Sequence, residues 1–343
     1  MKLTDNQRER YSRMLALRDF SENDMEVIMN TTVAMLGAGG LGSPALRLLA
    51  AVGFGRIRIV DRDIVELSNI QRQTVYNTRD IGKPKAEAAA ENLELMNPEV
   101  QFDPICASID DINAIDVLKG VDIIVDGLDS FAARRAANNA SLALKIPYVF
   151  AGAVEYYANL TTFVPGRTGC LHCVMGDAQD NPENSCSRVG VSPMLLSIAA
   201  SIEVNETVKL ALRREPDLAN RLMSIDSSTL GFDFFDIGKA EDCEVCSKPQ
   251  KEPVEQQDNL RITQLCSQSF NVSPGKILEL NLDKLAKRLD AEYSIQKRKR
   301  FLVVKVTDEV RMTIMPAGNV VIKGVANAEE ASKVYRIIID GED

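Results

Sequence analysis

The feature that most constrains the fold is a glycine-rich stretch, TVAMLGAGGLGSP, at residues 32–44. Apolar, β-prone residues at 31–36 precede the first glycine, and a helical run at 41–52 begins within the glycine-rich segment. The stretch carries the G-x-G-x-x-G spacing and one further glycine, its members being Gly37, Gly39, Gly40 and Gly42. A strand, a tight turn and a helix N-terminus in this order predict a phosphate-binding turn, because glycines admit the ligand and the helix end attracts anions.

The segments after the glycine loop point to two different nucleotides. Asp61 follows the next predicted strand, RIRIV, about where a dinucleotide-binding fold carries its ribose-binding acid, so the loop and Asp61 alone predict an NAD enzyme. The crossover VELSNIQRQ then adds Asn69 and Arg72, and Lys85 lies in the first turn of a predicted helix. A lysine there opposes the helix dipole, so an anionic ligand explains it better than helix stability does. These donors and cations favour a triphosphate.

Composition limits the class of protein. The chain has 343 residues, of which 45% are hydrophobic, enough for two domains or for one large α/β domain with an appendix. A net charge of −9 argues against nucleic-acid binding, which needs a basic surface. The polar N-terminus and the absence of a long apolar run predict a cytoplasmic protein that does not enter a membrane.

The order of apolar segments predicts the architecture. Strand and helix patterns alternate over 31–150, and the strands are apolar throughout, which predicts a doubly wound, Rossmann-like, mainly parallel sheet. Strands after 150 alternate more nearly, which predicts an antiparallel extension around a long helix at 192–212. The expected organisation is a first domain at 1–248, a polar, proline-containing linker at 249–258 and a small α+β domain at 259–343.

An acidic segment follows the predicted strand VDIIVD. Asp126 ends this strand and Asp129 lies just past it, at the carboxyl edge where open α/β sheets bind ligands. Either Asp129 or Ser130 could cap the next helix, and Asp129 could also be a magnesium ligand, because Mg²⁺ bound with phosphates takes one or two carboxylates.

The cysteines form the strongest chemical pattern. Two C-x-x-C pairs supply four thiolates, which suits tetrahedral zinc and predicts a zinc clip, although either pair alone could be a redox dithiol; they are Cys170, Cys173, Cys243 and Cys246. His172 lies inside the first pair and is interpreted as a bystander. Cys186 lies in a polar segment and is either a reactive thiol or an idle one.

Taken together, these motifs resemble those of the ThiF/MoeB/HesA family, the prokaryotic relatives of ubiquitin-activating enzymes. In chain order they are RYSRML, GAGGLGS, VDRDIVELSNIQRQ, GKPKAEAA, DGLDSFAARRAAN, the two C-x-x-C pairs and CSRVGV. The resemblance covers residues 4–248. It implies ATP in place of NAD, and adenylation of the C-terminal glycine of a ubiquitin-like sulfur carrier with release of pyrophosphate.

The resemblance also implies roles for individual residues. The four glycines would lie against the nucleotide, and the remaining ligands would be Asp61 for the ribose, Asn69, Arg72 and Lys85 for the phosphates, and Asp129 for magnesium. Arg13, in RYSR, corresponds to an arginine that reaches into the site of the partner subunit, which implies a homodimer with shared sites. The paired cysteines correspond to zinc ligands, and Cys186 to a thiol that takes up the activated carrier or its sulfur.

The carrier, which would end in Gly-Gly, could serve thiamine, molybdopterin or tRNA-thiolation pathways, with a sulfurtransferase or cysteine desulfurase as a further candidate partner. Three alternatives stay open at this point: adenylation of another peptide C-terminus, an NAD oxidoreductase and an inactive scaffold. The last 85 residues resemble the short tail domain of some family members, for which dimer contact and carrier docking are both candidate roles.

Overall fold

The computed structural model describes residues 3–180, 186–247, 260–264, 269–274, 278–298 and 301–341. The expected linker at 249–258 lies outside these residues, so the domain boundaries stay a prediction. No helix in the described ranges is long and apolar enough to cross a membrane.

The first part of the chain alternates helices and strands as its sequence predicts. Its helices and strands are α1 (Asp5–Arg10), α2 (Ser12–Leu15), α3 (Glu22–Met29), β1 (Thr32–Leu36), α4 (Gly42–Val52), β2 (Arg56–Val60), α5 (Lys85–Met96), β3 (Gln101–Ile105), α6 (Ala114–Leu118), β4 (Ile123–Asp126), α7 (Phe131–Leu144), β5 (Tyr148–Val154), β6 (Tyr157–Phe163), α8 (Leu171–Met175), α9 (Cys186–Val189), α10 (Pro193–Ala211), β7 (Arg221–Asp226) and β8 (Gly231–Asp236).

The described strands of this part form one sheet in the order β3-β2-β1-β4-β5-β6-β7-β8. Strands β1 to β5 are parallel, and β6, β7 and β8 continue the sheet antiparallel. Alternate residues of β1 enter different apolar clusters, Val33 and Met35 on one face and Ala34 and Leu36 on the other. Burial on both faces explains why β1 and β4 are almost continuously apolar, whereas β2 and the edge strand β3 contain charged residues and are only partly buried. The doubly wound sheet with an antiparallel extension is thereby confirmed.

The C-terminal part forms a separate antiparallel sheet covered by two helices. Its helices and strands are β9 (Arg261–Gln264), β10 (Phe270–Ser273), α11 (Leu282–Leu289), β11 (Ser294–Lys297), β12 (Leu302–Lys305), β13 (Arg311–Ile314), β14 (Val320–Lys323) and α12 (Ala328–Tyr335). The sheet order is β11-β12-β13-β14-β10-β9. The α+β prediction is confirmed, but the sequence predicts only three of these strands, because β9, β10 and β11 are short and contain polar residues.

Candidate functional site

The glycine loop joins β1 to α4 in a tight turn. Gly37 has φ +90°, and a Cβ on it would lie 2.3 Å from the carbonyl oxygen of Gly127. A Cβ on Gly42 would lie 1.9 Å from the carbonyl oxygen of Gly37, so the packing of β1, β4 and α4 requires glycine at both positions. Gly39 differs, because the nearest atom to a Cβ there is the side-chain nitrogen of Gln73 at 3.9 Å. The protein leaves room above Gly39, as a loop that receives a ligand requires.

Asp61 lies at the carboxyl end of β2, where the sequence predicts it. Its two carboxylate oxygens accept hydrogen bonds from the backbone N–H groups of Ala38 and Asp63, both at 2.7 Å. Burial raises the pKa of Asp61, although the positive charge of Lys85 opposes that shift. The bond from Ala38 ties Asp61 to the glycine loop. Because a carboxylate accepts about four hydrogen bonds, Asp61 can still accept one from a ligand hydroxyl.

Lys85 is the first residue of α5 and is almost fully buried. Its Nζ donates a hydrogen bond to Oδ2 of Asp63 at 2.9 Å. Burial lowers the pKa of Lys85, but attraction to Asp63 and Asp61 outweighs it, so the pKa lies above the usual value and the ammonium stays charged. The other oxygen of Asp63, Oδ1, has no hydrogen-bond partner among the described residues. That oxygen lies 3.8 Å from Nε of Arg62, so the site combines the fixed Lys85 cation with a carboxylate that also pairs with an arginine.

The crossover between β2 and α5 carries the predicted amide and cation. Asn69 is buried and its Oδ1 accepts a hydrogen bond from the backbone N–H of Glu66 at 3.1 Å. Arg72 is half-buried and donates to the backbone carbonyl of Ser68 at 2.9 Å. Gln73 is buried, with its Oε1 unpartnered among the described residues. An orphaned polar atom beside Gly39 indicates a ligand-binding surface, since buried polar groups normally have partners.

Asp129 lies past β4 with its side chain 68% exposed. Ser130, not Asp129, caps α7, because its side chain accepts from the backbone N–H of Ala133. The nearest cation to Asp129 is Arg62, whose Nη2 lies 3.8 Å from Oδ1. The cap role that the sequence left open thus belongs to Ser130, and the Asp129 carboxylate stays accessible to a cation.

A buried polar cluster supports the loop that carries Asp129. Arg134 donates to Asp126 at 3.2 Å, and also to the backbone carbonyls of Leu128 at 2.7 Å and Ala151 at 3.0 Å. The hydroxyl of Tyr148 donates to the same Asp126 carboxylate. The negative charge of the fully buried Asp126 is thus balanced by Arg134 within the fold. Asp126 therefore has a structural role, whereas the exposed Asp129 is the candidate metal ligand.

Sequence reasoning missed two residues that the fold places at the site, Arg62 and Asp63, and it counted Gln73 only as one of the two glutamines of the crossover. Asp63 and Arg62 share the DRD run with Asp61, so a second acid two residues after the first was an available signal. Gln73 lies in the crossover NIQRQ, and no signal in the sequence pointed to its position near Gly39.

The roles predicted for Arg13 and Cys186 are not tested by the structure of one chain. Arg13 is exposed on α2, and no hydrogen bond or ion pair joins it to the site among the described residues. The backbone of Cys186 begins α9, but its side chain lies outside the described residues. The role in trans of Arg13 and the reactivity of Cys186 remain predictions.

The four paired cysteines meet in one cluster. Their sulfur atoms all lie within 4.8 Å of one another, the shortest separation being 3.6 Å between Cys173 and Cys246. Four thiols at these distances fit the tetrahedral set that zinc prefers. The cluster joins the segment at α8 to the chain after β8, while His172 contributes no ligand atom to it. The zinc clip therefore fits the structure.

We expect removal of zinc to destabilise the protein. Cys173→Ser should lower zinc content and reduce Tm by about 5–10 °C, as for the loss of a cross-link that closes a long loop. His172→Ala is the matched control and should keep both values. Metal analysis and thermal unfolding measure the outcome, and full zinc content in Cys173→Ser would remove this cysteine from the ligand set.

An open, mainly parallel sheet with a phosphate-type glycine loop and clustered charges at its carboxyl edge defines a nucleotide-binding α/β protein. The chain belongs to the ThiF family, whose model matches residues 11–245. This confirms the resemblance inferred from the motifs.

Individual relatives cover most of the chain. The SAMP-activating enzyme E1 of Haloferax volcanii is 33% identical over 75% of this chain and 96% of its own length. The sulfur carrier protein ThiS adenylyltransferase of Bacillus subtilis is 27% identical over 95% of this chain and 98% of its own length, so its match includes the C-terminal part. Among solved structures, E. coli MccB with ATP is 25% identical with a TM-score of 0.60, covering 70% of this chain and 75% of its own.

Proposed function

We propose that this chain is an ATP-dependent adenylyltransferase that activates the C-terminal glycine of a ubiquitin-like sulfur-carrier protein and releases pyrophosphate. The observation that carries the proposal is the buried Lys85–Asp63 pair beside the glycine loop, in a chain of the ThiF family. The relatives named as activating enzymes and sulfur-carrier adenylyltransferases support the same reaction.

Most residues of the site are proposed to bind the nucleotide, and one is proposed to bind the metal. The loop glycines, with space above Gly39, receive ATP, and Asp61 accepts from the ribose hydroxyls. Asn69, Arg72 and Lys85 contact the phosphates. Asp129, the accessible carboxylate, would hold the Mg²⁺ that accompanies ATP. When bound, magnesium supplies neutralisation of phosphate charge.

The reaction needs no general base in the chain. A terminal carboxylate has a pKa of about 3.5, so at neutral pH it is ionised and attacks the α-phosphorus of ATP directly. One carboxylate oxygen forms a bond to this phosphorus while the bond to the bridging oxygen of the β-phosphate breaks, and the electron pair leaves with pyrophosphate. Positioning and charge stabilisation by Lys85 and Arg72 are what the site must provide.

The finer assignments extend this proposal to partners. A homodimer would place Arg13 of each subunit in the site of the other, and Cys186 would accept the activated carrier or its sulfur. A sulfurtransferase or cysteine desulfurase would supply that sulfur, and the cytoplasm would be the site of the reaction. The pathway served is left to the identity of the carrier.

A second candidate substrate is the C-terminus of another peptide. The likeness to MccB, described as the microcin C7 biosynthetic enzyme in complex with N-formylated MccA, favours this alternative. The reaction would be the same, and only the polypeptide would differ.

Pyrophosphate exchange tests the proposal and separates the two substrates. Labelled pyrophosphate should enter ATP only when magnesium and one carrier from a panel of Gly-Gly-ending ubiquitin-fold proteins are present. The same carrier with an amidated C-terminus is the control and should give no exchange. If the protein binds ATP but shows no exchange with any carrier, another peptide C-terminus becomes the proposed substrate. If the protein does not bind ATP, the proposal of an adenylyltransferase is contradicted.

A further inference from the structure

The sheet of the C-terminal part has two different faces. Phe270 and Val272 of β10, and Val320 and Ile322 of β14, point to its own helices and share one apolar cluster. Residues between them lie on the opposite face, since side chains alternate along a strand. Asn271 pairs with Val321 across β10 and β14 on this second face, and Lys323 follows two residues later.

This second face packs against the first part of the chain. Val321 and Met315 are buried in the large apolar cluster that also contains Ile64 and Val65 of the crossover. An ion pair between Arg261 and Asp110, at 2.8 Å, adds a contact beyond β3. The C-terminal sheet is therefore packed on the crossover that carries the site residues.

A buried hydrogen-bonded chain ends at the site loop. Asn319 donates to Ser273 at 2.6 Å, Ser273 donates to Asn271 at 3.3 Å, and Asn271 donates to the backbone carbonyl of Arg62 at 3.1 Å. The three donors are each less than a tenth exposed. Arg62 lies between Asp61 and Asp63, so the C-terminal sheet holds the peptide that joins the two site carboxylates.

A second contact holds the other end of the same loop. Nζ of Lys323 lies 2.6 Å from Oε1 of Glu66. Glu66 is the N-cap residue of the short 3₁₀ turn Leu67–Asn69, and its backbone N–H donates to the side chain of Asn69. Lys323 therefore acts on Asn69 through Glu66.

The opposite side of the loop is held by the chain just before α5. The N–H of Val65 donates to the carbonyl of Lys83 at 2.8 Å, and the N–H of Lys85 donates to the carbonyl of Asp63 at 2.8 Å. The crossover is thus clamped between this segment and the C-terminal sheet. Fixing such a loop before ATP arrives removes an ordering cost from binding.

We propose that the C-terminal part is a positioning element for the ATP site, acting through Asn271 on the Arg62 carbonyl and through Lys323 on Glu66. Neither residue touches the predicted nucleotide ligands, so both are positioning residues. The inference rests on the proposed function in one respect, that the Asp61–Asn69 crossover binds ATP. This role of the C-terminal part differs from the two candidate roles inferred from the sequence, dimer contact and carrier docking.

We call the contacts of Asn271 and Lys323 with the crossover the clamp. Lys323→Ala tests the clamp, and Lys305→Ala is a control in the same sheet. Lys305 pairs with Asp308 at 2.7 Å, within the C-terminal part, and its side chain is 41% exposed, the same as that of Lys323. We expect Lys323→Ala to weaken ATP binding about two- to fivefold, and Asn271→Ala about five- to twentyfold. Lys305→Ala should bind ATP like the wild type, and Lys323→Arg should restore binding.

Calorimetry with ATP and magnesium, without carrier, gives Kd, and pyrophosphate exchange gives separate KM values for ATP and carrier. The clamp predicts a rise in Kd and KM for ATP, an unchanged KM for carrier and unchanged zinc content. Wild-type affinity in both Lys323→Ala and Asn271→Ala would overturn it, as would a change confined to the KM for carrier. Failure of the wild type to bind ATP would instead overturn the proposed function, so the two failures are distinguishable.

Discussion

Asp129→Ala is expected to reduce adenylate formation by about a thousandfold or more, because it removes the accessible carboxylate proposed to hold magnesium against the phosphates. The substitution should leave the fold intact, since the side chain is 68% exposed and its nearest cation, Arg62, is 3.8 Å away. Ser130 caps α7 in any case, so the helix keeps its N-terminal hydrogen bond.

Pyrophosphate exchange, unfolding temperature and zinc content measure this result together. Asp116→Ala removes an exposed carboxylate on α6 that is not among the candidate site residues, and it should leave all three at wild-type values. Full exchange activity in Asp129→Ala would contradict the magnesium assignment.

Lys85→Ala is expected to impair both activity and stability. The variant loses a fixed cation beside the proposed phosphates, which should reduce exchange by about a hundred- to a thousandfold. It also leaves Asp63, next to buried Asp61, with only the longer contact to Arg62, whose Nε lies 3.8 Å from Oδ1. This loss should lower the free energy of unfolding by about 2–4 kcal/mol. This loss is smaller than the usual loss on breaking a fully buried ion pair, because the Asp63 side chain is 26% exposed.

Lys83→Ala is the matched control for charge and position. Lys83 lies two residues before Lys85 and pairs with Asp80 and Glu91, with its side chain 32% exposed. Its loss should cost about 1–2 kcal/mol, because the buried Asp80 keeps its hydrogen bonds from Asn77 and Asn92, and it should spare exchange. ATP should raise Tm in the wild type and in Lys83→Ala, but not in Lys85→Ala. A wild-type ATP shift in Lys85→Ala would contradict the phosphate role.

The parallel sheet was predictable because its signal is local. The strands β1 and β4 are short apolar runs, each followed by a helix, and burial on both faces produces that pattern directly. Strands such as RITQ and SIQK carry no such pattern, since they are defined by pairing with β10 and β12 rather than by their own composition. The C-terminal sheet was therefore only partly predictable.

The positions of the candidate site residues were predictable where a motif fixes a residue at a strand end or a helix start. Asp61, Lys85 and Asp129 lie at such positions. The Asp63–Lys85 pair depends on how the crossover folds back onto α5, which no spacing in the sequence specifies. The contact of Asn271 with Arg62 joins residues more than two hundred positions apart and appears only in the folded chain.

The central claim is that the chain transfers an adenylyl group to a carrier carboxylate. Intact-mass spectrometry of a Gly-Gly-ending carrier, incubated with ATP, magnesium and the protein, tests it most directly. The account predicts a carrier heavier by one adenylyl group, formed by the wild type and not by Asp129→Ala. A carrier of unchanged mass under conditions where the protein binds ATP, for every carrier tested, would contradict it.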